Sequence, residues 1–150
     1  MVAHQNGDCF CTTPAQEAIA KCLEEETTRL NQPDSFFMQQ RVALQTKCGK
    51  LVAMLKTAGF NPSVPDAGHF VLADWTSVAT NQLIDDGSGD SLDFQFVSWL
   101  IKEYKIASIP SSGFYGDNKS IAQKLARFCF FKSDELLEKA KEYFNAIKIN

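Results

Sequence analysis

Arg127 is the residue whose type and setting most demand chemistry. It stands in Lys124-Leu125-Ala126-Arg127-Phe128-Cys129-Phe130-Phe131, a run too apolar on both faces to lie fully in water, and the chain has only three arginines. An unpaired guanidinium in such a place is costly, so it calls for a partner. Its planar fork matches a carboxylate through two parallel hydrogen bonds. That carboxylate could belong to one of the chain's 18 acidic residues or to a ligand. Internal ion pairs are the commoner use of such charges, so pattern alone favours the first.

Other combinations point to less. Cys9 and Cys11 are separated by one residue, and no second pair follows at zinc-site distance. His4 and His69 have no ligand-like companion, so no metal site is expected. The aspartates and glycines of Asp85 to Asp93 suggest a calcium loop, but their alternation is wrong and no glutamate closes it. They read as a solvated turn. Neither a Gly-x-Ser-x-Gly elbow nor a phosphate loop ending in Gly-Lys occurs.

The elements that must position these residues are legible from spacing. Thr13-Pro14-Ala15-Gln16 has the form of a capped helix start, followed by an apolar stripe of Ala15, Ile19, Cys22 and Leu23. Pro33 ends that helix, and Asp34 or Ser35 caps a longer one. In it Phe37, Leu44, Cys48, Leu51, Leu55 and Ala58 recur at three- and four-residue steps, and Gly59 stops it. His69 to Trp75 reads as a short strand, and Ser91 opens a third helix through Tyr104. A β-branched run from Ile106 to Ile109 is halted by Pro110. Ser111 to Ser120 forms a loop, Ala126 to Phe131 a compact strand, and Ser133 caps the last helix. Short connections disfavour parallel crossovers. The expectation is α+β: two layers, a small, mainly antiparallel sheet covered by helices on one side.

Bulk properties narrow the class. The chain has 150 residues, 45% of them hydrophobic and 12 of them phenylalanine, enough for a single packed domain. A net charge of -3 and a pI near 5.3 argue against a nucleic-acid partner. No stretch approaches membrane-spanning length. Five cysteines without a visible secretory signal fit a reducing, cytoplasmic setting.

Six segments, in order, resemble the C-terminal part of the kynurenine aminotransferases. They are His4-Gln5-Asn6 followed by Thr13-Pro14-Ala15-Gln16-Glu17-Ala18, Val64-Pro65-Asp66-Ala67-Gly68-His69-Phe70, and its extension Ala73-Asp74-Trp75. Asp93-Phe94-Gln95-Phe96-Val97-Ser98-Trp99-Leu100, Ile109-Pro110-Ser111-Ser112-Gly113-Phe114-Tyr115 and Arg127-Phe128-Cys129-Phe130 complete the set. The resemblance implies the small C-terminal domain of a fold type I, pyridoxal-phosphate-dependent enzyme. Such enzymes move an amino group from an amino acid, such as kynurenine or glutamine, to a 2-oxo acid. It implies that residues 1–150 are one such domain, with residues 1–32 a helical lead-in from a large domain.

By the same resemblance Arg127 holds the substrate α-carboxylate and Phe114 lines the pocket. Cys9 and Phe10 reach toward the neighbouring subunit's site in a homodimer. The sequence departs from the family at His69, and at Gly7-Asp8-Cys9-Phe10-Cys11, where a large aromatic or histidine is usual. None of its lysines lies in the family's Ser-x-x-Lys context, so no catalytic residue is expected in this chain. The cofactor would belong to the full-length parent, in the cytoplasm or a mitochondrion, and the chain alone would be inactive. Two alternatives stand beside this: a shortened, non-catalytic binding or dimerisation module, and an unrelated α+β domain of ferredoxin-like order.

Overall fold

The computed structural model describes residues 12–80, 84 and 87–147. Cys9, Phe10, His4 and Cys11 lie outside the described residues. The chain divides into two compact units, Met1–Ala43 and Leu44–Asn150. Among the described residues no helix is long and apolar enough to cross a membrane.

In the first unit, helix α1 (Thr13–Thr27) starts one residue earlier than the capping pattern predicts. Thr12 is its N-cap, without a side-chain capping bond, and Pro14 sits in the first turn, where a missing N–H costs nothing. None of α1 is buried, so its stripe of Ala15, Ile19, Cys22 and Leu23 faces outward. The turn after it is closed by Arg29, which donates to the Asp34 carboxylate at 2.8 Å and to its carbonyl at 3.0 Å. Ser35 then caps helix α2 (Phe36–Thr57), its Oγ accepting from the Met38 N–H at 3.2 Å. The division between the units falls within α2.

The second unit begins with the rest of that helix, and its end shows why Gly59 is there. Phe60 N–H bonds the Leu55 carbonyl and Gly59 N–H that of Lys56, which requires Gly59 at φ +87°. The chain then lays down β1 (Asn61–Ser63), β2 (Phe70–Asp74), helix α3 (Leu92–Tyr104), β3 (Ile109–Pro110), a short helix α4 (Lys119–Ala122), β4 (Leu125–Cys129) and helix α5 (Asp134–Asn145). The strands form one antiparallel sheet in the order β1-β2-β4-β3. The expected two-layer α+β arrangement is therefore the one found.

Pro110 does not halt β3 but belongs to it, because β3 is an edge strand and a missing N–H there breaks no interior ladder. Pro62 lies likewise in β1 at the other edge. β4 begins one residue before the expected Ala126 and ends at Cys129, two residues short of Phe131.

Alternation separates two faces. Val71 and Ala73 of β2 and Ala126 and Phe128 of β4 are buried in the core with Leu51 and Leu55 of α2, Phe96 and Leu100 of α3, and Leu137 and Phe144 of α5. Phe60 is the hub, its ring meeting those of Phe96, Phe128 and Phe144 edge-on at 5.4–6.2 Å. Such pairs add about 0.5–1.5 kcal/mol each beyond the area they bury. Trp75 stacks on Phe96 at 4.5 Å, tying the end of β2 to α3. Ser133 caps α5 as expected, its Oγ accepting from Leu136 N–H at 3.2 Å. The opposite face of the sheet is only half-buried.

Candidate carboxylate-binding face

Arg127 lies in β4, an interior strand flanked by β2 and β3. Its register partners are Leu72 on one side and Ile109 on the other. Directly opposed residues of antiparallel strands share a face, so Arg127 belongs with Phe70, Leu72, Asp74, Leu125 and Cys129, on the side away from the core. The arginine is half-buried there: its stem crosses apolar neighbours and its head is not sealed within the core.

Two aromatic rings hold the guanidinium. Its Cζ lies 4.3 Å from the centroid of Phe70 and 4.1 Å from that of Phe114. Phe70 reaches it because it is the diagonal neighbour, two residues from Leu72, and the diagonal spans only about 7–8 Å between backbones. Phe114 comes from a separate element, the 3-10 turn Ser112–Phe114 that follows β3. Each contact is worth about 0.5–1 kcal/mol at a partly exposed site. Ring faces attract the cation without using the N–H edge of the fork, so these two contacts orient Arg127 without consuming its donors.

The internal ion pair favoured by pattern alone does not form with any described residue. The ion pairs among the described residues belong to Arg29, with Glu26 and Asp34, and to Lys50, with Asp134 and Glu138. Asp74, the acid on the same face, accepts instead from the N–H and hydroxyl of Thr76 at 2.8 and 2.6 Å. Beyond Asp74 and Leu125 the face continues into an open depression also lined by Ser120, Ile121 and Lys124. Arg127 and Phe114 are thus brought together from opposite ends of a loop and a strand. Phe70, which the sequence reading assigns no part in the site, joins them. Its place could be found only from the strand register.

Comparison with known proteins agrees with the architecture. Residues 1–144 match the family model described as aminotransferase class I and II. Kynurenine–oxoglutarate transaminase 3 of Mus musculus is 38% identical over 144 residues, covering 95% of this chain and 31% of that protein. The Homo sapiens protein of the same name is 36% identical over 143 residues, again covering 95% and 31%. Among solved structures, Bna3p of Saccharomyces cerevisiae superposes with a TM-score of 0.79 at 26% identity, covering 91% of this chain and 32% of Bna3p. YbdL of Escherichia coli, a methionine aminotransferase, does so with 0.68 at 29% identity, covering 95% and 32%. The chain therefore spans about a third of the length of the proteins it matches.

Proposed function

The chain belongs to the class I and II aminotransferases, and on that premise we propose that it is the substrate-side C-terminal domain of such an enzyme, with Arg127 gripping the α-carboxylate of the amino acid and of the 2-oxo acid. One observation carries this reading. Arg127 is an arginine in an apolar strand with no ion pair among the described residues, steered by Phe70 and Phe114 and facing away from the core. Both substrates carry the group that this fork fits bidentately, and Phe114 would border the side-chain end of the pocket. Kynurenine or glutamine as donor is the expectation drawn from family likeness.

Class I and II aminotransferases rely on pyridoxal phosphate, which supplies the electron sink for moving the amino group. The residues that touch or face the fork do not make a site for it. Phe70, Phe114, Leu72 and Ile109 include no lysine to form a Schiff base and no acid to hold a pyridine nitrogen. The role proposed for these 150 residues is therefore to bind and orient, with the cofactor and the large domain belonging to the full-length parent. That parent is proposed to be a cytoplasmic or mitochondrial homodimer, with Cys9 and Phe10 toward the neighbouring subunit. The same lack of cofactor-binding groups favours, as a second reading, a non-catalytic binding or dimerisation module.

The test is twofold. The purified 150-residue chain is expected to show no conversion of kynurenine with a 2-oxo acid, and turnover would overturn the division of labour. In the full-length parent, Arg127→Lys is expected to weaken carboxylate substrates, since an ammonium offers a point charge in place of a fork. Unchanged substrate affinity would remove Arg127 from the site.

A further inference from the structure

We propose that Asp93 is a positioning residue of this face: from beneath, it fixes the turn that holds Phe114 over Arg127. Asp93 is fully buried in the first turn of α3, and its Oδ2 accepts the backbone N–H of Ser112 at 2.7 Å. That N–H opens the 3-10 turn Ser112–Phe114, which is closed by Phe114 N–H donating to the Ser111 carbonyl at 3.0 Å. A short, charge-assisted bond in a dry site is among the stronger single tethers a loop can have.

Two features make the tether more than ordinary packing. Ser91 and Asp93 are the residue types expected to satisfy the N-terminus of α3 itself, yet Ser91 makes no side-chain capping bond. Its Oγ lies instead 3.5 Å from Ser112 Oγ, and Asp93 reaches to the same residue. Both polar side chains at the start of α3 thus serve a loop 19 or more residues away. Phe114, meanwhile, is 63% exposed, so core burial does not hold it. Its place 4.1 Å from the guanidinium depends on the backbone of its own turn, and so on what anchors Ser112. The other carboxyl oxygen, Oδ1, is buried without a hydrogen-bond partner among the described residues, so the bond to Ser112 is what holds this side chain in place.

The effect on ligand binding rests on the role of Arg127 proposed above, but the geometric claim does not, and the experiment separates them. In the 150-residue chain, NMR contacts between the Phe114 ring and the Arg127 side chain are recorded for Asp93→Ala and Asp93→Asn. They are expected to vanish in the first and persist in the second, whose amide oxygen still accepts from Ser112. Persistence in Asp93→Ala overturns the proposal.

Affinity for L-kynurenine, with its amide as the control lacking a carboxylate, is then read in the same variants with and without Phe114→Ala. Asp93→Ala should weaken binding about tenfold alone and add almost nothing once Phe114 is gone. Additive losses would mean that Asp93 does not act through Phe114. If no variant binds kynurenine in preference to the amide, the carboxylate reading fails, and the ring contacts alone decide Asp93. Should Asp93→Ala not fold, the Ser112 amide proton decides: a downfield resonance that moves upfield in Asp93→Asn supports the tether, and an unmoved one overturns it.

Discussion

Replacing Arg127 by methionine should separate stability from binding, because among the described residues this arginine has no acidic partner to strand. Were it half of an internal ion pair, its removal would leave an uncompensated carboxylate and cost up to about 3–5 kcal/mol. Here the losses are two ring contacts, at 4.3 and 4.1 Å. At about 0.5–1 kcal/mol each they sum to no more than about 2 kcal/mol. A thioether of similar reach packs on the same rings and recovers part of that. The desolvation of a half-buried guanidinium is also relieved. The net cost should be about 1 kcal/mol or less, a fall of about 0.5 M in the urea midpoint at a slope of about 2 kcal/mol/M. Carboxylate binding should be lost altogether. A destabilisation above about 3 kcal/mol would show that Arg127 supports the fold through a charge partner, and the reasoning would fail.

Further perturbations test how the chain is packed. Phe60→Ala removes the ring shared by Phe96, Phe128 and Phe144 and should cost about 3–5 kcal/mol in chemical denaturation, whereas Ile19→Ala on exposed α1 should stay within about 0.5 kcal/mol. Burial raises the Cys48 thiol above its ordinary value of 9.0, while Cys22 is exposed, so iodoacetamide should modify Cys22 in the native chain and Cys48 only on unfolding. The native state keeps the Cys48 proton longer than the unfolded chain does. Its contribution is therefore intact below a pH of about 9 and declines as pH rises past it, which alkaline melts should register. Lys105 caps α3 at φ +58°, a conformation that costs a side chain about 1 kcal/mol, so Lys105→Gly should stabilise by a comparable amount; a destabilised variant would contradict that account.

What the sequence made legible follows from how local each signal is. Of the helical stripe from Phe37 to Ala58, the part from Leu44 onward packs in or against the core while Phe37 is exposed, and the Gly59 stop stands where spacing places it. Ser133 and Ser35 cap as their types predict. The stripe on α1 has the same periodicity as a buried face yet is exposed, because period specifies a face and not what covers it. Pro110 reads locally as a strand stop, yet its tolerance depends on lying at a sheet edge, and edge position comes from topology. Lys105 gave no sign of positive φ, since nothing in its side chain asks for it. At the site, Arg127 was conspicuous by its setting, but whether it had an internal partner depended on side chains brought from elsewhere in the fold. Phe70 and Asp93 needed, respectively, a strand register and a contact 19 residues distant.

The most direct test of the account follows the guanidinium N–H resonances of Arg127 while L-kynurenine, and separately its amide, is added to the 150-residue chain. The account predicts a saturable downfield movement with the acid, absent with the amide and absent in Arg127→Met. Equal responses to acid and amide, or none from Arg127 while other residues bind the acid, would contradict it.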